Sequence, residues 1–493
     1  MLALPALVLI PFIGGLLAWL AGLNGGMRLP RFISVLTVLL MGVLLIPFTF
    51  HGQQGWMAQF LIPWIPAVGI NCHLSLDGLS LIMLWLNVLI ALPCILLPCA
   101  QVKDRGGLFQ CLLLMTVAGM SGVFLATDLM LFFFFWEMML LPMFALIIIW
   151  GDENRGRAAL KFFMFTQGSG LLMMLSMIGL VLLHQHEAGV VTFDYADLAG
   201  TAASSRWSYV LMLGFFIAFA VKLPMVPFHA WLPDTYASAP IPATLLLSGV
   251  MAKTGGYGLI RFVWELFPSA APLIAPVAMT LGVVGLIYCA WIAFAQNDLK
   301  RLIAYSSVSH LGFILLGIFS GTKIGLEGAV IQMVAHGLST GALFIMAGLL
   351  EDRLQTRDMG RMGGLWPAMP QFSGLAMLFA AASLGLPGLG NFIGEFLTLL
   401  GTWSVSHTMA IISASALVLS SVYSLTMMLR IFYGPKSSDQ ARPLGPVSYR
   451  HVSLLGGAAV LLIALGVYPQ PVLDRSNPAL PEMARIAQEQ QVP

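Results

Sequence analysis

Fourteen apolar stretches, each near the length that crosses a bilayer, divide this chain. Their approximate limits are 2–22, 32–50, 78–100, 107–126, 128–150, 160–183, 207–228, 240–263, 272–296, 300–320, 326–350, 371–402, 408–433 and 452–469. An α-helix rises about 1.5 Å per residue, so about 20 residues span a hydrocarbon core about 30 Å thick. Only 9% of the residues are charged, where a soluble chain carries about 25%. The expected fold is an all-α polytopic membrane protein with about 14 transmembrane helices. The first stretch, "MLALPALVLIPFIGGLLAWLAGL", has no basic residue before it and Arg28 and Arg31 after it. That is the reverse of a secretory signal, and it reads as a retained span.

The basic residues test this count. Of 23 lysines and arginines, sixteen fall in connections that follow odd-numbered spans, five lie on the other side, and Lys222 and Lys253 lie within spans. A miscounted span would scramble that asymmetry. Basic loops stay on the cytoplasmic side, which places both termini on the outer (periplasmic) side of a bacterial inner membrane.

Two spans carry breaks. "FAVKLPMVPFHAWLPD" (219–234) sets Pro224 and Pro227 just after Lys222, and "SLGLPGLGNFIGEF" (383–396) sets Pro387 before Glu395. Proline removes a backbone donor and clashes with the preceding turn, so helices seven and twelve should be interrupted. They are five apart in the order of spans, so they run in opposite directions. The chain then divides into 1–106 (spans one to three), 107–263 (spans four to eight), 264–433 (spans nine to thirteen) and 434–493 (last span and outer tail). The two middle segments form inverted five-helix repeats. Broken helices at matching places in such repeats mark ion or substrate paths in transporters.

Ionisable residues are few inside the spans: Glu137, Lys222, Lys253, His310, His336 and Glu395. Glu137 stands in "LMLFFFFWEMMLLPMF", nine residues after Asp128, or about 14 Å of helix. The others lie comparably far from their span ends, one per span, and so predict a hydrophilic row at mid-depth. A charge at mid-bilayer costs at least about 2.5–3.5 kcal/mol unless it pairs, neutralises or meets water. A glutamate beside a lysine keeps both ionised; moved away, it leaves a desolvated amine that favours the neutral form. Histidine, with an unperturbed pKa near 6.5, can relay protons near neutral pH. The competing readings are an ion pair that only binds helices together and histidines that only satisfy neighbouring carbonyls. His229, in "PFHAWLPD", is either a residue of the entry mouth or a turn residue.

No Walker loop, CxxCH or dinucleotide fingerprint occurs, and the five cysteines have no zinc spacing. No basic cluster suggests nucleic acid. The chain is expected to move protons while holding no redox cofactor or metal.

"HLSLDGLSLIM", "FFFFWEMMLLPMF", "GFFIAFAVKLPMVPFHAWLPD", "LKRLIAYSSVSHLGF", "IQMVAHGLSTGALF", "TRDMGRMGGL" and "GLPGLGNFIGEF" run through most of the chain. In these the sequence resembles the antiporter-like membrane subunits of respiratory complex I, which are related to multisubunit sodium/proton antiporters. Glu395, where L- and N-type relatives generally carry lysine, and "GVYPQPVLD" resemble the M-type branch. The resemblance implies a Glu137–Lys222 pair, a connecting Lys253, His310 and His336 in the central path, and Glu395 in its outer half. It also implies partners, above all L-type and N-type membrane subunits, with NADH, FMN, iron–sulfur clusters and quinone bound in other subunits. Alternatives are a subunit of a sodium/proton antiporter or ion-pumping hydrogenase, and a passive membrane scaffold.

Overall fold

The computed structural model describes residues 2–23, 26–50, 55–97, 99, 101–102, 104–202, 205–435 and 447–476. Lys103, Lys436, Arg442, Arg485 and most of the C-terminal tail fall outside them. Lipid offers the backbone no hydrogen-bonding partner, so the apolar runs close their own bonds as helices. The first spans are α1 (Ala3–Ala21), α2 (Arg28–Thr49), α3 (Gly78–Leu96), α4 (Gly106–Leu125), α5 (Leu129–Trp150) and α6 (Arg155–Ala188). The short α7 (Tyr195–Leu198) precedes α8 (Ser208–Lys222) and α9 (Leu232–Ser238), the two parts of the broken seventh span.

The eighth span is one rod, in which π-turns Leu247–Met251 and Leu259–Trp264 alternate with α10 (Ile241–Leu246) and α11 (Ala252–Gly258). Next come α12 (Ala271–Phe294), α13 (Leu299–Phe319) and α14 (Lys323–Leu354). The twelfth span is split into α15 (Pro370–Ser383) and α16 (Gly390–Val405), followed by α17 (His407–Met428), α18 (Tyr449–Val467) and the short α19 (Gln470–Ser476). Among the described residues, eleven helices are long and apolar enough to cross a membrane. The three interrupted spans complete the expected fourteen. The chain is a multi-pass membrane protein.

The connection between the second and third spans, which has no expected element, folds as an antiparallel hairpin, β1 (Ala58–Ile65) and β2 (Ile70–Leu76). It turns at Gly69, whose φ of +69° suits glycine. The hairpin docks on the starts of the spans: Thr127 N donates to His73 O (3.0 Å), Asn71 N to Asp128 Oδ2 (2.9 Å), and His73 Nδ1 lies 2.5 Å from Asp194 Oδ2. This hairpin face holds Arg206, Lys323 and Arg475. The opposite, ionic face gathers Arg28, Arg31, Arg105, Arg155, Arg157, Lys161, Lys300, Arg301, Arg353, Arg357, Arg361, Arg430 and Arg450.

Backbone bonds on the two faces repeat one pattern. Leu129 N donates to Phe193 O and Tyr195 N to Thr127 O, at 2.9 and 2.8 Å, around Asp128 and Asp194. On the ionic face Leu299 N donates to Arg357 O and Met359 N to Asn297 O, both at 2.9 Å, around Asp298 and Asp358. Asp128 and Asp298 each cap the helix that follows, α5 and α13. The breaks match as well. Met225 N reaches back to Ala220 O (2.8 Å) past the end of α8, and Leu386 N to Ala381 O (3.0 Å) past the end of α15. By this register Ser383, not Glu395, stands where Lys222 stands in the seventh span. The repeats are inverted in backbone but not alike in charge.

Cysteines replacing exposed Asn154 and exposed Lys323 should react with an impermeant thiol reagent from opposite sides of the membrane. Labelling of both from one side would contradict the path of the chain between them.

Candidate functional site

The eighth, tenth, eleventh and twelfth spans bring four of the six intramembrane ionisable residues into one run. Lys253 on α11 is fully buried, and its Nζ lies 2.8 Å from His336 Nδ1 on α14 and donates to Ser248 O. The His336 ring is 6.1 Å, centroid to centroid, from that of His310 on α13. His310 Nδ1 is 2.9 Å from Glu395 Oε1 on α16. With Nδ1–H donating to that carboxylate, His310 Nε2 accepts from the Tyr423 hydroxyl (2.9 Å), and Ser383 Oγ lies 3.2 Å from the same nitrogen. Gln332 Nε2 donates to Glu395 Oε1 at 3.2 Å.

The two broken half-helices hold the outermost charges for electrostatic reasons. Lys222 ends α8, where the unpaired carbonyls favour a cation. Glu395 lies in the second turn of α16, near the end whose free N–H groups favour an anion. Glu395 Oε2 has no hydrogen-bond partner, and a Cβ on Gly385 would stand 2.7 Å from it. With φ of +77°, Gly385 both turns the break and leaves room for the carboxylate.

The Glu137–Lys222 pair is open in this structure. Lys222 Nζ is buried without a hydrogen-bond partner, and Glu137 Oε1 likewise has none. The ammonium instead lies over the faces of Trp136 (5.0 Å) and Phe162 (5.7 Å), whose ring quadrupoles attract it. Glu137 is only half-buried and packs on Gly170 of α6. His229 lies apart from the row, in the single turn Phe228–Trp231 on the ionic-face side of the break. Its ring meets Tyr288 edge-on at 5.8 Å, and its Nδ1 has no partner.

The ionic face opens into a cavity of about 320 Å³ lined by Asp152, Asp234, Asp298, Arg157, Arg301 and Arg357 among others. Asp234 joins Lys161 (2.7 Å) and Arg301 (2.9 Å), and Arg357 joins Asp152 (3.0 Å) and Asp298 (3.2 Å). Burial lowers the Arg357 pKa, but Asp298, Glu351 and Asp152 more than reverse this and hold it above its ordinary value.

Sequence reasoning counted these loop charges for topology without pairing them. It also passed over Gln332, Ser383 and Tyr423. Gln332 could have been found: it precedes His336 by four residues and so shares its helix face. Tyr423 gives no such signal, because its partner is 113 residues away.

Residues 126–421 match the family model for NADH:quinone oxidoreductase/Mrp antiporter transmembrane proteins. The chain belongs to this family. It is 49% identical over 490 residues to NADH-quinone oxidoreductase subunit M of Pseudomonas aeruginosa, covering 96% of each chain. The subunit M of Escherichia coli K12 is 47% identical over 492 residues, covering 97% of this chain and 96% of that one. Among solved structures, a chain of respiratory complex I from Thermus thermophilus with bound NADH superposes with a TM-score of 0.89 at 31% identity. The match covers 98% of this chain and 99% of that one. The family assignment thus rests on nearly the full length, both broken spans included.

Proposed function

We propose that this chain is the M-type, proton-translocating membrane subunit of an NADH:quinone oxidoreductase, the respiratory complex I. The observation that carries the reading is the connected run from Lys253 through His336 and His310 to Glu395. Electron transfer from NADH to quinone takes place in partner subunits, which hold the flavin, the iron–sulfur clusters and the quinone. L-type and N-type membrane subunits are its neighbours. The excess of basic residues on the ionic face supports an orientation with that face toward the cytoplasm and both termini outside, in a bacterial inner membrane.

In this reading a proton enters from the ionic face, past the Asp234 cluster and His229, and reaches Lys222. Glu137 sets the charge state of that amine. Close approach of the carboxylate stabilises the ammonium, and withdrawal leaves a desolvated cation held only by aromatic faces, which favours its deprotonation. The proton passes to Lys253 and then to His336 by a direct hydrogen bond. The gap between the two histidine rings is one that a water molecule can bridge. His310 delivers the proton to Glu395, whose second oxygen is free to take it on and release it toward the hairpin face.

Glu137→Ala is expected to reduce proton pumping and quinone-linked turnover by about tenfold or more, because it strands the buried Lys222 charge. Lys222→Ala should do the same, and Glu137→Asp should retain part of the activity. Pumping in vesicles, normalised to assembled complex, checks this; wild-type coupling in assembled Glu137→Ala would leave only a structural role for the pair.

Glu395→Gln keeps size and hydrogen bonding but cannot titrate, so it should lower initial proton uptake with assembly intact. Glu395→Lys restores a titratable group and should recover part of the loss. Glutamine matching wild type would remove Glu395 from the path. Lysine performing no better than glutamine would defeat the idea of an exchangeable titrating group.

A further inference from the structure

The eighth span carries a second polar column, which shares only Lys253 with the lateral row. Lys253, Tyr257 and Arg261 recur every four residues and so share one helix face. Arg261 stands about 12 Å from Lys253 toward the hairpin face. The Tyr257 hydroxyl donates to Phe124 O at 3.1 Å and lies 3.2 Å from Ser80 Oγ. Arg261 is 4% exposed and hydrogen-bonded to Asp77, itself 5% exposed, with Glu265 Oε1 at 3.6 Å. Trp56 covers the guanidinium at 5.0 Å, and Asp77 caps α3 by accepting from Ser80 N at 2.8 Å. Polar groups thus lead straight from the membrane centre to the hairpin face, along a single span. The lateral route to Glu395 crosses three other spans.

What ends this shorter column is a group that does not give up its charge. A fixed cation in a low-dielectric wall repels an approaching proton, as arginines do in pores that exclude protons. The backbone does not demand it. The thirteenth span has a corresponding π-turn, Leu429–Tyr433, and its third residue is the buried Ile431 where Leu259–Trp264 has Arg261. A buried ion pair is also a poor stabiliser compared with apolar packing of the same volume.

We infer that Arg261, held in place by Asp77, closes the direct route from Lys253 to the hairpin face, so that a proton on Lys253 leaves only sideways to His336. Arg261 is a positioning residue for the direction of transfer and touches no reacting group. The inference rests on the proposal that Lys253 carries the proton.

The test uses vesicles containing the assembled complex with Arg261→Gln. An imposed pH gradient without NADH should decay several-fold faster than in wild type, and protons moved per NADH oxidised should fall while NADH oxidation continues. Arg261→Lys keeps the charge and should restore tightness. Adding Lys253→Met to Arg261→Gln should abolish the extra leak. The double variant Asp77→Asn/Arg261→Gln strands neither charge and covers the case in which the single variant does not assemble; it should leak likewise. Wild-type tightness and stoichiometry in an assembled neutral variant, or failure of the double variant also to assemble, would overturn the seal. Unchanged stoichiometry in Lys253→Met alone would instead overturn the proposed path, which separates the two failures.

Discussion

A helix that stops half-way across a bilayer leaves carbonyls at one end and N–H groups at the next with no water to meet them. In this chain two spans do so, after Lys222 and after Ser383. Each break closes part of its backbone by a bond reaching five residues back. The remaining polarity favours an ammonium at the carbonyl end of α8, while past the second break the Glu395 carboxylate is held by His310 and Gln332. The rest of the row is placed by helices that pack on these broken ends. Gly255 allows α11 to close on the end of α8, where a Cβ would stand 2.7 Å from Leu223 N and Phe219 O.

The two ends of the row are held differently. At its first end, Lys222 rests on the face of Trp136, and neither its Nζ nor Glu137 Oε1 has a hydrogen-bond partner. From Lys253 onward the groups are hydrogen-bonded or nearly so, and His310 is fixed by Glu395, Tyr423 and Ser383 together. On the proposed path, an unpaired Lys222 followed by a hydrogen-bonded run would let a shift of Glu137 be read out farther along. With Arg261 as the inferred seal, the proposed path would have no shorter exit.

Much of this was legible in the sequence. The fourteen spans, the two breaks and the six intramembrane ionisable residues each leave a local signal, in hydropathy, proline or isolated charge. The hairpin Ala58–Leu76 does not, since its strand β1 is largely exposed and sits between hydrophobic spans that dominate any window. Nor does the equivalence of Lys222 with Ser383, which is set by backbone bonds while the Leu-Pro pairs suggest another alignment. The open Glu137–Lys222 pair was equally hidden. Its state depends on Trp136 and Phe162 competing for the ammonium, and composition around Lys222 says nothing of ring orientation. Pairings such as His310 with Glu395, 85 residues apart, exist only in the folded chain.

The central claim is that the proton crosses from the first repeat to the second through His336, the residue that touches Lys253 on one side and faces His310 on the other. The most direct measurement is protons translocated per NADH oxidised in vesicles carrying His336→Leu in the assembled complex. This ratio should fall sharply, because leucine fills the space but can neither accept from Lys253 nor pass a proton on. A ratio equal to wild type would mean that protons do not travel through this contact, and the account would be wrong.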